Sequence, residues 1–243
     1  MLQTSRAIVL NSIRYNDESF IVNVLTETSG HVSFLLRRAK SGRSKVQHAL
    51  FQPLQQLEIS WEQRPSGGLA HPKQVRAICA YSDLPFNHTK RSIALYLAEF
   101  LNHALRNEPP HALLFEYVAT GLQLLDQSRN GVHNFHLVFL LHLTHFLGFL
   151  PDDSTYTPQS RFDLQNGEFT SAIPPHNHYL SPEDSRFIPQ LLRMTPQNMH
   201  LFQFTRTQRR QILDILNVYY RLHLPNFPEL KSLEVLNAVF DVE

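Results

Sequence analysis

The sequence predicts an α+β fold, in which a five-stranded OB-like β-barrel is followed by an all-helical domain with a small hairpin insertion. Residues 1–80 contain short apolar runs at a period of two, separated by turn residues. After Pro85, apolar residues recur at helical spacing instead. The 243 residues suffice for two small domains. We therefore expect a barrel domain over residues 1–82 and a helical domain over residues 83–243.

Five runs of β-forming residues define the barrel domain. They cover Arg6–Tyr15, Ser19–Thr26, His31–Leu36, Leu54–Trp61 and Gln74–Tyr81. Turn signals separate some of these runs, at Ser29-Gly30 and at Ser66–Gly68. Trp61 shares a period-two face with Leu57 and Ile59, which favours a core position for its ring. Five short strands are typical of a Greek-key barrel of the OB type, although an SH3-like barrel gives a similar pattern.

Helical periodicity accounts for most of the second domain. The predicted helices contain or cover Ile93–Leu105, Leu113–Leu125, Val132–Phe146, Pro182–Arg193, Thr205–Leu222 and Leu230–Phe240. Between the third and fourth, residues 149–180 form an irregular insertion rich in Pro, Ser, Thr and Asn. Within it, Asn166-Gly167 lies between apolar residues, which predicts a short hairpin over Arg161–Phe169.

The charges are distributed unevenly along the chain. The net charge is only +1, yet residues 1–80 carry ten Lys or Arg against five Asp or Glu. The strongest local signal is the cationic segment, residues 37–45, which holds five cations and no acid around a Ser-Gly-x-Ser stretch. A basic region beside an acidic remainder indicates an anionic partner, although a merely solvated loop has the same composition.

Cations on a mobile loop beside a barrel can follow the phosphates of a nucleic acid. We therefore predict a DNA-binding site at the cationic segment. Its members are Arg37, Arg38, Lys40, Arg43 and Lys45, with Arg6 and Arg14 as further cations and Tyr15 as a surface ring that stacks on bases.

The sequence contains no motif that indicates an enzyme. It has no GxSxG, no GxxxxGK[ST] and no GxGxxG, so we predict no catalytic residue and no cofactor. Among its 14 histidines, His142 and His145 are one turn apart, with His133 and His136 nearby. Such a pair can hold zinc, but histidines lining an apolar helix fit as well, and we predict no metal.

The compartment is predicted from cysteine usage and from the absence of targeting signals. The single cysteine, Cys79, cannot form an internal disulfide or a thiolate cluster, which suits a reducing cytoplasm. No apolar run reaches 18 residues, and the N-terminal residues do not have the pattern of a signal peptide. We therefore expect a cytoplasmic protein without membrane contact.

A second binding surface is predicted near the C-terminus. The last predicted helix, Leu230–Phe240, has one apolar side, which could simply close the core. Arg206, Arg209 and Arg210 on the preceding helix could instead form a cationic rim beside it. A rim of this kind would fit an acidic, hydrophobic peptide tail.

Several blocks of the sequence, in order along nearly the whole chain, resemble the RecO recombination mediator family. The blocks are Ala7–Leu10, Tyr15–Ser19, Leu25–Glu27 with Gly30, the end of the cationic segment at Arg43-Ser44, Leu50–Leu54 and Leu230–Leu236. The resemblance implies an N-terminal OB-fold and a helical C-terminal domain. It implies binding of single- and double-stranded DNA, annealing of complementary strands, and loading of recombinase onto strands coated by single-strand-binding protein. The implied partners are RecR and the acidic C-terminal tail of that binding protein.

The chain departs from the family pattern in its insertion. Many members carry four cysteines after the third helix, whereas residues 149–180 contain none. A structural zinc is therefore not expected, and packing of the Phe162–Phe169 hairpin takes its place. Two other classes of function remain open on the residues alone, namely a protein-interaction adaptor that does not touch DNA and a histidine-dependent metalloenzyme.

Overall fold

The structure, a computed structural model, describes residues 2–37, 50–62 and 68–242. The chain divides into two compact units. The first unit comprises residues 1–127 together with residues 230–243, and the second comprises residues 128–229. Among the described residues, no helix is both long enough and apolar enough to cross a membrane.

Five antiparallel strands form the sheet of the first unit. They are β1 (Leu2–Asn16), β2 (Ser19–Thr26), β3 (Gly30–Arg37), β4 (Gln56–Glu62) and β5 (Pro72–Ala77). Their order across the sheet is β3-β2-β1-β4-β5, which makes β1 the central strand. The fifth strand was predicted to reach Tyr81 but ends at Ala77. Beyond it the Tyr81 hydroxyl donates to the Leu54 carbonyl at 2.9 Å, so the alternating pattern there reflects packing outside the sheet.

The two edges of the sheet meet at a single parallel bridge between Phe34 and Ala70. The Ala70 amide donates to Ser33 O at 2.9 Å, and the Leu35 amide donates to Ala70 O at 2.8 Å. If this parallel pairing continued, the amide of residue 72 would donate to the Leu35 carbonyl, but residue 72 is a proline and has no N–H. Within the described residues the strands therefore do not close into a barrel. The prediction of an OB-like five-stranded element followed by helices is confirmed, and the prediction of a closed barrel is corrected.

The concave side of the sheet encloses the first hydrophobic core. Phe34 and Trp61 lie at its centre, with ring centroids 5.6 Å apart in an edge-to-face arrangement. Trp61 is only 2% exposed, so its predicted core position is confirmed. The other buried members are Ala7, Val9, Val22, Val24, Phe51, Leu57, Ile59 and Ala70.

Seven α-helices follow the sheet in the described part of the chain. They are α1 (His88–Ala104), α2 (Ala112–Gln127), α3 (Phe135–Leu147), α4 (Pro182–Ser185), α5 (Phe187–Arg193), α6 (Arg206–His223) and α7 (Ser232–Val242). The single helix predicted over 182–193 is divided into α4 and α5, because Pro189 has no N–H to donate to the Ser185 carbonyl. In the first unit, α1 contacts β1 and β2 and packs along α7. The Glu99 carboxylate accepts hydrogen bonds from the Lys231 and Ser232 amides at the start of α7.

The predicted hairpin is present in the second unit as β6 (Arg161–Asp163) and β7 (Glu168–Thr170). Gly167 takes the positive φ of 71° that its turn requires. A Cβ there would lie 2.6 Å from the Tyr219 hydroxyl, so the turn packs directly against α6. The hairpin ring of Phe162 lies 5.9 Å from that of Tyr219, whose hydroxyl donates to Phe149 O at 2.8 Å. These contacts join the hairpin to α6 through aromatic packing.

A buried polar network holds the segment after β5 against α2. The Asp126 carboxylate accepts from the amides of Ser82, Asp83 and Leu84 at 2.7–2.9 Å and from the Ser82 hydroxyl at 3.0 Å. The ammonium of Lys90, a residue 2% exposed, donates to Asp126 O and pairs with Asp83. Because four donors converge on one carboxylate, Asp126 fixes the segment that leads from β5 to α1 against the end of α2.

Replacing Asp126→Asn should lower the free energy of unfolding by about 2 kcal/mol, because an amide nitrogen would face hydrogen-bond donors. Burial raises the pKa of Asp126, but the hydrogen bonds from Ser82, Leu84 and Asp83 outweigh it, and the pKa lies below its ordinary 3.8. This stabilisation is therefore present above about pH 3.8 and is lost as the pH falls through the folded-state pKa. Urea unfolding of the variant, with exposed Asp153→Asn as the matched control, measures both effects; equal midpoints at neutral pH for all three proteins would contradict the assignment.

Candidate nucleic-acid interface

The outer face of the sheet is covered by α1 over only part of its area. Ile8 and Leu25 are opposite each other in β1 and β2 and are buried on the face away from the concave core. His31 continues this row in β3, and its Nε2 lies 3.3 Å from Asn102 Oδ1 in α1. The helix therefore covers the part of the outer face nearest to the β2–β3 turn.

A β-bulge in β1 changes which side chains reach the outer face. Val9 is opposite Val24, but the next paired residue is Asn11, opposite Asn23. Leu10 is thus the extra residue of the bulge. If Leu10 instead paired regularly, opposite Asn23, alternation would place Asn11 and Ile13 on the concave side with Val9. With the bulge, they lie on the outer face, beyond the region that α1 covers.

Two rows of side chains cross β1, β2 and β3 on this outer face. Residues directly opposite in antiparallel strands point to the same side, so the register defines each row. The polar row is Asn11, Asn23 and Ser33, and the apolar row is Ile13, Ile21 and Leu35. We call these two rows the outer-row surface, and its member Ile13 is 53% exposed. Tyr15 lies next to it at a second shift of register, between Arg14 and Asn16, and is 61% exposed, in agreement with its predicted surface position.

The cationic segment begins at the same end of the sheet. Arg37, the last residue of β3, is exposed and is opposite Ser19 at the start of β2. Among the described residues no carboxylate lies within salt-bridge distance of Arg37. Arg38, Lys40, Arg43 and Lys45 lie outside the described residues, so their predicted role stays a prediction.

The other cations predicted to bind DNA have carboxylate partners within the chain. Arg6 donates to Glu27 through Nε and Nη2, at 2.9 and 2.8 Å, and to Glu116 at 2.7 Å. These hydrogen bonds, led by the one that Arg6 donates to Glu27, raise the pKa of Arg6 above its ordinary value against the effect of burial. Arg14 pairs with Asp17 in the β1–β2 turn. Arg6 therefore joins β1, the β2–β3 turn and α2, and we do not retain it as a phosphate contact.

The remaining described cations of the sheet are also matched by acids. Lys73 in β5 pairs with Glu62 at 2.8 Å, and Arg76 pairs with Glu58 at 2.7 Å through Nε. Both pairs join β5 to β4. Positive charge on the described sheet is thus least balanced at Arg37.

The predicted peptide-binding arginines lie in the first turns of α6. Arg206 and Arg210 are exposed, whereas Arg209 is half-buried and donates to Phe204 O at 2.6 Å. Because α6 and the last helix, α7, belong to different compact units, the predicted position of these arginines beside the last helix stays a prediction. The apolar residues next to them along the chain are Leu201, which is 69% exposed, and half-buried Phe204.

Two histidines of α3 have surroundings that indicate a role in packing and not in metal binding. His142 Nε2 lies 2.8 Å from the Met194 carbonyl. His136 is fully buried, and its burial, followed by the charges of Arg209 and His133, lowers its pKa to about 3. Within the described residues, no group of three or more His, Cys, Asp or Glu side chains is arranged to hold a metal ion.

Sequence reasoning missed the outer-row surface and the residues before α6. The Asn and Ile members of the rows lie within two correctly predicted strands, but the bulge that places them outside has no clear sequence signal. Leu201 and Phe204 were detectable as apolar residues in a short connection between helices, where exposed positions are expected.

Two family profiles match the chain and together cover most of it. The profile described as recombination protein O N terminal matches residues 1–81. The profile described as recombination protein O C terminal matches residues 86–234.

Curated relatives are similar over the full length of the chain. A DNA repair protein RecO from Bacteroides fragilis is 43% identical, covering 99% of this chain and 100% of the relative. The protein of the same description from Phocaeicola vulgatus is 42% identical over the same shares. That from Porphyromonas gingivalis is 36% identical, again over 99% and 100%.

Proposed function

The chain belongs to the RecO family of DNA repair proteins, and from this premise we propose that it is a non-catalytic mediator of recombinational repair. It binds single- and double-stranded DNA, anneals complementary strands and helps to load recombinase onto strands coated by single-strand-binding protein. A repair function of this kind belongs in the compartment that holds the chromosome, which in bacteria is the cytoplasm.

One observation carries the DNA-binding part of this proposal. The exposed Tyr15 and Ile13 lie at the end of the sheet where Arg37 opens the cationic segment. A ring and an aliphatic surface for bases, next to cations for phosphates, are the two components of a site for single strands. Arg14 adds a further cation at this end when its pair with Asp17 opens.

Annealing follows from electrostatics without a chemical step. Two complementary strands repel each other through their phosphates, and a cluster of cations lowers that repulsion when both strands are bound. Bases that are held unstacked can then pair. The mechanism requires neither a nucleotide nor a cofactor, and it gives Arg38, Lys40, Arg43 and Lys45 the same role as Arg37.

The domain division is proposed on the same basis, with residues 1–82 for DNA and residues 83–243 for partner proteins. The two matched family profiles meet between residues 81 and 86, which supports this boundary. The compact units have a different limit, since α1, α2 and α7 pack with the sheet. The proposed functional domains are therefore consecutive in the sequence, whereas the first compact unit combines residues 1–127 with residues 230–243.

We place the acidic tail of single-strand-binding protein at the start of α6, and RecR at the helical domain. Arg206 and Arg210 are exposed cations for the carboxylates of the tail, and Leu201 and Phe204 provide adjacent apolar area. Arg209 acts through its hydrogen bond to Phe204 O, which orients the segment before the helix.

Alanine substitution of the five cations of the cationic segment should weaken the binding of single-stranded DNA and flatten its salt dependence. Each phosphate contact contributes about 0.7 to the slope of log K against log salt, so the loss of five contacts lowers the slope by about 3.5. Titration at several salt concentrations measures this slope. The double variant Lys73→Ala/Arg76→Ala is the matched control, because its cations are already paired with Glu62 and Glu58. An unchanged slope in the five-fold variant would leave the adaptor function, without DNA contact, as the better account.

Replacing Asp17→Asn should increase the affinity for DNA by about threefold at low salt, because the substitution releases Arg14 and removes one repulsive charge. The gain should shrink as salt screens both effects. Exposed Asp153→Asn makes the same charge change in the other compact unit and serves as the control. A loss of affinity, or an equal gain in both variants, would rule out a DNA site at the β1–β2 turn.

The double variant Arg206→Glu/Arg210→Glu should slow annealing of DNA coated with single-strand-binding protein about tenfold, because it reverses two charges that face an acidic tail. Annealing of bare DNA should be unchanged. Exposed Arg129→Glu controls for a general effect of charge, and a coat lacking its tail should abolish the difference between variant and wild type. Equal slowing on bare and coated DNA would contradict a tail site at α6.

A further inference from the structure

We propose that the outer-row surface discriminates between bases and favours thymine over cytosine in single-stranded DNA. This inference rests on the proposed function, since it assigns a base preference to the same surface. The observation behind it is the direction of the hydrogen bonds in the polar row, which determines what the row presents to a ligand.

The polar row is a hydrogen-bonded chain with one free end. The Ser33 hydroxyl donates to Asn23 Oδ1 at 2.5 Å. The Asn23 amide nitrogen then donates to Asn11 Oδ1 at 2.8 Å. Both side-chain oxygens are therefore engaged within the row. Among the described residues, the Asn11 amide nitrogen has no acceptor, so the end of the row presents N–H donors.

In the direction that the structure gives the row, each hydrogen bond sets the orientation of the next amide. A hydroxyl that donates to Asn23 Oδ1 leaves the amino group of Asn23 directed at Asn11. A turned Asn11 amide would bring two amino groups together and lose that hydrogen bond. Ser33 is therefore a positioning residue, two strands away from the donors that it orients.

The apolar row lies beside these donors. On each strand the apolar row is two residues away from the polar row, a separation of ~7 Å. A base that rests on Ile13 and Ile21 therefore extends its edge towards Asn11. Thymine presents an O4 acceptor and a methyl group, whereas cytosine presents an N4 amino donor. Thymine O4 accepts from Asn11 while its methyl group contacts the isoleucines. With cytosine, donor faces donor.

Equilibrium titration of the full-length protein with oligo(dT), oligo(dC) and oligo(dU) tests this inference. Oligonucleotides of about 15 nucleotides span the range that one OB fold contacts. Wild type should bind oligo(dT) about fivefold more tightly than oligo(dC), the effect of one hydrogen bond gained against one donor left unsatisfied. Asn11→Ala should remove the hydrogen-bond part of that preference and so reduce the ratio of oligo(dU) to oligo(dC) to about one. Ser33→Ala should reduce it as well, while both variants keep their salt dependence.

Two further variants separate the rows. Ile13→Ala should reduce the preference for oligo(dT) over oligo(dU), which lacks the methyl group, and should leave the ratio of oligo(dU) to oligo(dC) intact, because neither of these bases carries the methyl group. Ser12→Ala is the matched control, because Ser12 is opposite Val22 and points to the other face of the sheet. Equal affinity of wild type for oligo(dT) and oligo(dC), with normal salt dependence, would overturn the base preference alone. Failure to bind any of the three oligonucleotides would overturn the proposed function itself.

Discussion

The extra residue in β1 determines the use of the whole outer face. From Ala7 to Leu10, β1 is covered on both sides, between the concave core and α1. At Leu10 the bulge reverses the alternation, so the strand continues past the helix with Asn11 and Ile13 directed outwards. The first half of the strand provides stability and the second half provides an open surface. A single inserted residue separates these two roles.

The general architecture could be predicted from the sequence because it depends on local periodicity. Trp61 was placed correctly in the core, since its alternation with Leu57 and Ile59 continues without interruption in β4. Alternation wrongly predicted that β5 extends to Tyr81, because the side chain of Tyr81 is held outside the sheet by a hydrogen bond to the Leu54 carbonyl. The prediction of a closed barrel was wrong for a different reason. Strand counting does not show that the donor needed for closure is Pro72, which has no N–H.

The candidate site could be predicted only in part, because charge counting does not reveal pairing. Residues 1–80 have twice as many cations as acids, and this excess first suggested an anionic partner. In the structure three of these cations form ion pairs that join strands to each other or to α2, namely Arg6, Lys73 and Arg76. Arg6 illustrates the difficulty most clearly, because its partner Glu116 is 110 residues away along the chain. The excess that remains for a ligand is therefore concentrated at the end of β3.

Packing also explains how the proposed DNA surface is supported. Two buried charged residues, Lys90 and Asp126, hold α1, α2 and the segment after β5 together. A buried charge that lost its partner would be costly, so these contacts resist separation of the two helices. The sheet itself is joined to α2 by Gln56 in β4, whose amide nitrogen donates to Ala119 O at 2.8 Å. The C-terminal helix strengthens the same unit, because Glu99 in α1 accepts both amides at its start. The outer-row surface thus lies on a unit whose rigidity comes from residues that the ligand never touches, and its side chains need not be reordered when a strand binds.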